Sequence, residues 1–238
     1  LTPVSDADRS CEEAIRAQLA RSRGRDAVLG EEFGSSGNSQ RRWIIDPIDG
    51  TKNYVRGVPV WATLIGLVDG EDCVVGLVAA PALGRRWWAA KGAGAWSGRS
   101  LAQAKQIGVS RVGRLGDASL SYSSLDGWRE AGRARNFLNF TSDLWRTRAY
   151  GDFWSYCLVA EGAVDVCVEP EVKLWDLAPL DILVREAGGM VSGDVDKVHA
   201  LAWNALLNAA SAGLTVGELQ IEPLPHGKFA LRNVVDAG

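Results

Sequence analysis

The spacing of hydrophobic residues changes along the first half of the chain from helical to strand-like. Between residues 8 and 22 apolar or small side chains recur at helical intervals, at Cys11, Ala14, Ile15 and Leu19. This spacing predicts an amphipathic helix with Ser5 or Asp6 as its N-cap. Farther on, short runs rich in β-branched and aromatic residues are separated by Gly and Pro turn signals, and they predict antiparallel strands at Trp61–Val68, Cys73–Ala80, Arg86–Ala90 and Gly94–Ser97.

The second half of the chain alternates strand-like and helix-like segments. Strands are predicted at 118–123, 144–148 and 164–168, with a polar helical stretch between the first two and further helices at 153–161, 177–186 and 199–210. Such alternation is typical of an α/β arrangement, whereas the first half is α+β. A polar, unpatterned stretch near residues 105–110 marks a predicted division into an N-terminal half, 1–107, and a C-terminal half, 108–238. The tail 213–238 matches no motif.

A pair of aspartates stands where a buried strand is predicted to end. The apolar run 43–45 leads directly into Asp46, Pro47 and, two residues later, Asp49. Because proline has no backbone N–H, it cannot continue a sheet ladder, so we expect the strand to give way to a loop at Pro47. Proline also favours extended geometry in the residue before it, which would hold Asp46 and Asp49 on either side of a tight turn.

Acids from three separate segments could together hold divalent cations beside a phosphate. Mg²⁺ prefers oxygen ligands, commonly one or two carboxylates with water and substrate phosphate completing an octahedron. Each piece also has a simpler explanation: Asp-Pro-x-Asp-Gly is commonly a turn, a Glu-Glu pair is commonly solvated, and Asp176 could be only a helix cap. The conjunction favours a metal site formed by four carboxylates, those of Glu31, Asp46, Asp49 and Asp176.

The composition is that of an ordinary globular protein. The chain has 238 residues, of which 47% are hydrophobic and 23% charged. A net charge of −3 without any basic run disfavours a nucleic-acid partner. The four cysteines show no Cys-x-x-Cys spacing, which disfavours a zinc site and a disulfide framework. No apolar stretch is long enough to span a bilayer and no signal-peptide pattern begins at Leu1, so we expect a cytoplasmic protein without a membrane partner.

An ordered set of motifs runs through the chain, namely Asp8, Glu31-Glu32, Asp46-Pro47-Ile48-Asp49-Gly50-Thr51, Trp175-Asp176-Leu177-Ala178 and Glu186-Ala187-Gly188-Gly189. This set resembles the inositol monophosphatase superfamily of Mg²⁺-dependent, often lithium-sensitive phosphatases. Segments 51–61, 85–90 and 150–153 are most similar to the actinobacterial type of histidinol-phosphate phosphatase, an enzyme of histidine biosynthesis. The chain departs from the family pattern before Asp8, where a long helix carrying a lysine is missing, and after Met190.

The resemblance implies a fold and a reaction. The fold is a mixed α+β and α/β sandwich with α-β-α-β-α layers and the site at the junction of its two sheets, whereas periodicity alone predicts only mixed α and β. The reaction is hydrolysis of a phosphomonoester by a metal-bound water, without a phosphoenzyme. Glu31, Asp46 and the carbonyl of Ile48 would hold one Mg²⁺, and Asp46, Asp49 and Asp176 a second. Two or three ions are implied, and Mn²⁺ could substitute for them.

The resemblance also assigns roles around the phosphate. Thr51 would orient the attacking water, with Asp8 accepting a hydrogen bond from its hydroxyl group. Asp8 could instead be only a negative charge at a helix N-terminus. Gly50 and Thr51 would offer backbone N–H groups to the phosphate at a helix start. Glu32 would support the metal ligands without binding an ion.

Three further acids are candidates for the other end of the substrate. Where inositol-handling relatives carry Gly-Ser-Ala-Ala, this chain has a carboxylate, Asp152, which suits an amino group better than a ring of hydroxyl groups. Glu169 matches a substrate-contacting glutamate of the inositol enzymes, and Asp181 adds a third acid. These residues favour an amine-bearing substrate such as L-histidinol phosphate. Asp152 could instead cap the following helix, and Lys173, if it points inward, would compete with a metal ion.

Alternative functions stay open at this point. One is another phosphatase of the same superfamily, acting on inositol phosphate, a sugar phosphate or a 3′-phosphonucleotide. A second is a catalytically impaired scaffold that uses its acids as a structural Ca²⁺ or Mg²⁺ site. A glycosidase with paired carboxylates is a weaker option, because it would not need the Asp-Pro-Ile-Asp-Gly-Thr geometry. The family's preference also implies a homodimer.

Overall fold

The computed structural model describes residues 6–192 together with four later strands at 199–201, 215–216, 219–224 and 228–233. The helices are α1 (Asp6–Arg23), α2 (Thr51–Arg56), α3 (Leu125–Glu130), α4 (Ala134–Ser142), α5 (Asp152–Ala160) and α6 (Leu174–Glu186). No helix within the described part of the chain is both long and apolar enough to cross a membrane.

The first sheet has eight strands in the order β2-β1-β3-β4-β5-β6-β7-β8. Its strands are β1 (Ala27–Gly30), β2 (Gly34–Ser36), β3 (Arg41–Asp49), β4 (Ala62–Asp69), β5 (Asp72–Ala80), β6 (Arg85–Ala90), β7 (Ala95–Gly98) and β8 (Lys105–Ile107). From β3 to β8 each strand pairs antiparallel with the next, while β1 runs parallel to β3. The antiparallel meander predicted from the sequence is therefore confirmed, with strand ends shifted by one residue.

The second sheet has the order β10-β9-β11-β13-β12. It contains β9 (Ser119–Ser121), β10 (Arg146–Arg148), β11 (Val166–Val168), β12 (Met190–Ser192) and β13 (His199–Leu201). The predicted helix at 199–210 is wrong at its start, because 199–201 is the strand β13, and its remainder lies outside the described residues. Three strands of the tail, β14 (Thr215–Val216), β15 (Leu219–Leu224) and β16 (Lys228–Asn233), pair as a small antiparallel sheet.

The helices occupy three layers around the two large sheets. The helix α1 packs on β3, α6 crosses the middle of the first sheet, and α5 packs against both α6 and β11. On β11 the side chains alternate: Cys167 faces the core between the sheets, whereas Val166 and Val168 face the cluster formed with α3 and α4. These layers confirm the α-β-α-β-α sandwich. The proposed division at residue 107 lies between the last strand of the first sheet and the first of the second, although one core cluster joins both halves.

The strand β3 does not end at Pro47 as predicted. It runs on to Asp49, but its register against β4 shifts between Asp46, which pairs with Leu64, and Asp49, which pairs with Ala62. Three steps along β3 therefore correspond to two along β4, which is a one-residue β-bulge. The proline fits here because a bulge frees residues from the ladder, and its carbonyl oxygen accepts a hydrogen bond from the Thr63 hydroxyl at 2.9 Å.

Two glycines let the central helix approach the sheet closely. Gly66 on β4 and Gly76 on β5 are cross-strand partners, and Pro179 of α6 lies over them. A Cβ atom on Gly76 would lie 2.4 Å from the Pro179 carbonyl oxygen and 2.5 Å from a methyl carbon of Ile182. The helix α6 begins at Leu174, three residues before its predicted start, so Asp176 lies in its first turn. The close contact thus determines how near the first turn of α6, which carries Asp176, lies to the first sheet.

Candidate active site

The bulge in β3 determines which way its aspartates point. In a regular strand, residues three positions apart face opposite sides of the sheet. Here Asp46 and Asp49 pair with Leu64 and Ala62, two residues of β4 that share one buried face. The inserted residue therefore brings both carboxylates to the same side, which the predicted loop would have had to achieve by a turn.

The first turn of α6 adds a third acid to this pair. Asp46, Asp49 and Asp176 each offer a carboxylate oxygen within 4.8 Å of the others. Glu31 follows β1, its backbone N–H donates to the Ile45 carbonyl oxygen at 3.1 Å, and its carboxyl group hydrogen-bonds that of Asp46. We refer to Glu31, Asp46, Asp49 and Asp176 as the acid cluster. The four acids come from three segments, as the sequence predicts.

Burial and mutual repulsion disfavour the charged forms of these acids. Burial, followed by the charge of Asp176, raises the pKa of Glu31 to about 7. The pKa of Asp46 is raised well above its usual value by burial and then by Asp49 and Glu31, and that of Asp49 by burial and then by Asp152 and Asp176. One oxygen of Asp46, Oδ1, is buried without a hydrogen-bond partner within the described part of the chain. An oxygen-only donor set with a buried, unpaired ligand atom fits a hard divalent cation.

A hydroxyl group lies beside the acid cluster where β3 passes into α2. Gly50 adopts a left-handed backbone, with φ of 82°, and α2 starts at the next residue. The Thr51 hydroxyl donates to the Ile48 carbonyl oxygen at 3.0 Å and lies 3.4 Å from Asp8 Oδ1. Asp8 is 1% exposed, so it is more than a solvated helix-end charge. The structure thus places Thr51, Asp8 and the Ile48 carbonyl in mutual contact.

The sequence analysis missed Glu12, the residue that holds the loop carrying Glu31. Its carboxylate is fully buried and accepts hydrogen bonds from the backbone N–H of Glu32 at 2.8 Å, from that of Phe33 at 3.4 Å and from Arg16 Nε at 2.7 Å. A Cβ atom on Gly30 would lie 1.9 Å from Glu12 Oε1. Two signals were available in the sequence. Glu12 has an arginine, Arg16, four residues later. A glycine, Gly30, directly precedes the Glu31-Glu32 pair.

The buried face of α1 differs from the one that the apolar spacing predicts. The predicted apolar face of α1 is only half-buried, and Ala14 is exposed, whereas the buried residues of α1 are the acids Asp8 and Glu12. Glu32 is nearly buried and its Oε2 lies 3.7 Å from Arg9 Nε. Burial and then the charge of Asp8 raise the pKa of Glu32. Glu32 is thus directed towards Asp8 and Arg9, next to the acid cluster.

Asp152 does not cap the helix that it begins. It is the non-glycine residue with a left-handed backbone in the described segments, with φ of 47°, and its Oδ2 accepts a hydrogen bond from Asn53 Nδ2 at 3.2 Å. In the first turn of α5 the backbone N–H of Phe153 donates instead to Asp49, whose Oδ2 lies 2.7 Å from the Phe153 nitrogen. Burial and then the charge of Asp176 raise the pKa of Asp152. The carboxylate of Asp152 therefore remains beside the acid cluster.

A pocket of about 110 Å³ extends from the acid cluster to Glu169, several times the volume that one water molecule occupies. Its polar lining comprises Asp49, Ser123, Asp152, Tyr156, Glu169, Glu171 and Asp176, and its apolar lining Phe153, Val172 and Leu180. Ser123 Oγ donates to Glu169 Oε2. Burial raises the pKa of Glu169 to about 8, although the hydrogen bond from Ser123 opposes the shift.

Two charged residues singled out in the sequence lie away from this pocket. Asp181 is one turn along α6 and forms an ion pair with Arg185 at 2.8 Å, so the structure does not place it among the pocket residues. Lys173 turns its ammonium group to Glu171 and is largely exposed, while its backbone N–H donates to Asp176 Oδ2 at 2.9 Å. It therefore does not enter the acid cluster as a competing cation.

Comparisons with known proteins agree with this geometry. Residues 1–218 match the inositol monophosphatase family. The chain is 61% identical over 197 residues to the histidinol-phosphatase of Streptomyces coelicolor, covering 81% of this chain and 74% of that protein. It is 55% identical over 215 residues to the histidinol-phosphatase of Mycobacterium tuberculosis, covering 87% and 82%.

Among solved structures, the inositol monophosphatase of Anabaena matches with a TM-score of 0.78 at 26% identity, covering 90% of this chain and 88% of that one. The SuhB protein of Mycobacterium tuberculosis matches with a TM-score of 0.75 at 31% identity, covering 86% and 82%.

Proposed function

This chain belongs to the inositol monophosphatase family of metal-dependent phosphatases, and we propose that its substrate is L-histidinol phosphate. The two relatives from Streptomyces coelicolor and Mycobacterium tuberculosis that carry the name histidinol-phosphatase support this assignment. The observation that carries it is the pocket itself. It joins the acid cluster, where a phosphate would meet cations, to Asp152 and Glu169, two acids suited to a cationic substrate.

We further propose that the acid cluster and the Ile48 carbonyl hold two or three Mg²⁺ ions, for which Mn²⁺ can substitute. Bound at such a site, these ions activate a water for attack on phosphorus and neutralise the leaving oxygen. The donor set consists of carboxylate oxygen atoms around the buried Asp46, and Asp46 Oδ1 lacks another partner within the part of the chain that the structure describes. Both properties match the ligand preference of Mg²⁺.

The remaining steps fall to residues of the chain. The Thr51 hydroxyl, fixed between the Ile48 carbonyl and Asp8, would orient the attacking water, and Asp8 would take up the proton that passes through Thr51. The backbone N–H groups of Gly50 and Thr51 open α2 without an acceptor within that helix, so they can bind phosphate oxygens. Glu12 would keep the loop of Glu31 in place while these steps occur.

Asp152 would select the amino group of the substrate. Its carboxylate is mostly buried, it lines the pocket, and Asn53 fixes the position of its Oδ2. A charge-assisted hydrogen bond lost from such a site is worth roughly 1.5–3 kcal/mol, or about ten- to a hundredfold in specificity. An uncharged phosphomonoester would gain nothing from this contact, so the residue discriminates between amine-bearing substrates and inositol phosphates.

Phosphate release from a panel of phosphomonoesters tests the proposal. With Mg²⁺ present, kcat/KM should be highest for L-histidinol phosphate and lower for inositol 1-phosphate, a sugar phosphate and a 3′-phosphonucleotide. EDTA should abolish turnover of every substrate, and Mg²⁺ or Mn²⁺ should restore it. A preference for inositol 1-phosphate would overturn the substrate assignment. Turnover that persists without metal would contradict the proposed metal-dependent hydrolysis.

The family's preference also leads us to propose a homodimer, which light scattering coupled to size exclusion would test. A monomer across the micromolar range, under conditions where the protein is active, would refute it.

A further inference from the structure

Two buried polar atoms of the pocket lack partners. The Tyr156 hydroxyl and Glu169 Oε1 are each inaccessible to solvent and make no hydrogen bond within the described residues. The side chains that carry them are 3% and 4% exposed, and both line the same pocket. An unpaired buried polar group costs free energy, so two of them in one small pocket indicate a ligand that satisfies both.

The hydrogen bonds nearby determine what each atom can do. Ser123 Oγ donates to Oε2 of Glu169, so Oε1 is the oxygen left for a ligand, and it can accept a hydrogen bond. The Tyr156 hydroxyl carries a proton that must find an acceptor. Burial, followed by the charges of Cys167 and Glu169, raises the pKa of this phenol, which keeps it a donor. The pocket thus presents one acceptor and one donor.

We infer that Tyr156 and Glu169 form a donor–acceptor pair that recognises the imidazole ring of L-histidinol phosphate. This inference rests on the proposed function. A neutral imidazole has one N–H that can donate to Glu169 Oε1 and one bare nitrogen that can accept from the Tyr156 hydroxyl. The ammonium group of the same substrate carries donors only and would leave the tyrosine proton without an acceptor. The ammonium therefore goes to Asp152, and the ring to the far end of the pocket.

The apolar lining agrees with a flat ring at this position. Phe153, Val172 and Leu180 surround the polar pair, and Phe153 and Leu180 are almost fully buried. Apolar walls with a few polar groups are the usual arrangement around a small aromatic ligand.

Kinetics with two matched substrates test the pair. L-phenylalaninol phosphate has the same phosphate and ammonium groups as L-histidinol phosphate, but its ring has no nitrogen. We expect Tyr156→Phe to lower kcat/KM for L-histidinol phosphate about tenfold, because the ring nitrogen loses its donor, and to leave L-phenylalaninol phosphate unchanged. Glu169→Gln should also lower kcat/KM more for L-histidinol phosphate than for L-phenylalaninol phosphate. Tyr122→Phe, in the cluster outside the second sheet, is the matched control and should alter neither substrate.

The outcomes separate this inference from the proposed function. Equal losses for both substrates in Tyr156→Phe, or no loss for either, would overturn the pair while leaving the phosphatase assignment intact. Wild-type protein that does not turn over L-histidinol phosphate with Mg²⁺ would overturn both. Tyr156→Phe should melt at the wild-type temperature or above, because it removes a hydroxyl group that has no partner among the described residues.

Discussion

The carboxylate of Asp49 accepts a hydrogen bond from the backbone N–H of Phe153, 104 residues farther along the chain, at 2.7 Å. This contact joins β3 of the first sheet to the first turn of α5 in the layer between the sheets. A carboxylate is favourable at a helix N-terminus because it meets a free N–H group and the positive end of the helix dipole. Asp49 therefore has two roles, one as a proposed metal ligand and one as an acceptor that anchors α5.

These two roles can be separated by substitution. Asp49→Asn keeps an oxygen that can accept from Phe153 but loses the charge, so we expect normal folding with turnover lowered by at least a hundredfold. Asp49→Ala loses both functions and should cost a further 0.5–2 kcal/mol or so of unfolding free energy, the usual range for a lost helix cap. Activity assays together with denaturant unfolding of both variants would measure the difference. Wild-type kinetics in Asp49→Asn would remove this residue from the ligand set.

The stability of the metal-free protein should fall as the pH rises. Glu31 and Glu169 have folded-state pKa values of about 7 and about 8, against 4.5 when unperturbed. Their protonated forms are favoured by folding, so this contribution is fully present below pH 4.5 and is lost as the pH rises through 7 and 8. Denaturant unfolding in EDTA should show a lower free energy of unfolding at pH 8.5 than at pH 5.5. Glu169→Gln should reduce that decrease, and a flat profile would contradict the assigned shifts.

Mg²⁺ should stabilise the protein more at pH 8 than at pH 6. At the lower pH the ion must displace protons from the acid cluster, in which Glu31 is largely protonated, whereas at the higher pH the carboxylates are closer to the form that binds it. Melting temperatures measured across a Mg²⁺ titration at each pH would test this. An equal increase at both pH values would indicate that the ion binds outside the acid cluster.

Glu12 should matter for metal affinity although it does not belong to the acid cluster. Glu12→Gln weakens the acceptors for the backbone N–H groups of Glu32 and Phe33 and leaves Arg16 without its buried ion pair. Breaking one side of a buried pair costs about 3–5 kcal/mol. We expect lower thermal stability and a several-fold higher Mg²⁺ concentration for half-maximal activity. Glu13→Gln, at the exposed neighbouring position, is the control, and identical behaviour of the two variants would refute a supporting role.

The close packing of α6 on the first sheet predicts that one methyl group added at this contact lowers the stability of the protein. Gly76→Ala would place its Cβ 2.4 Å from the Pro179 carbonyl oxygen, so helix or strand must shift, at a cost of about 1–3 kcal/mol or more. Because Asp176 lies one turn earlier on α6, metal-dependent turnover should fall as well. Gly116→Ala, whose Cβ would meet no atom closer than 3.9 Å, should be tolerated. Equal stability of the two variants would contradict the close contact.

The sequence was sufficient for elements with a regular pattern and for acids that belong to a motif. It predicted α1, the antiparallel meander and the identity of the acid cluster. It was wrong at Pro47, because the rule that proline ends a ladder does not allow for a bulge in which proline needs no partner. It was also wrong about the buried face of α1, since apolar spacing cannot show that Asp8 and Glu12 are the residues turned inward.

Long-range contacts explain the rest of what the sequence could not predict. Asp181 and Asp152 are both acids on helices of the second half, and only the packing shows that Asp181 pairs with Arg185 while Asp152 lines the pocket. The sequence around Tyr156 is that of an apolar helix and does not distinguish this residue from a core residue. Its significance lies in a hydroxyl group without a partner within the described residues, and a missing partner has no signature in local sequence.

The bulge in β3 limits how this site could be engineered or moved to another scaffold. Pairing all four residues 46–49 in a regular ladder against β4 would turn the second aspartate to the opposite face of the sheet. Idealising the strand and keeping the site are therefore incompatible goals. A designer who grafts these acids onto a regular sheet with their spacing unchanged would have to copy the irregularity with them.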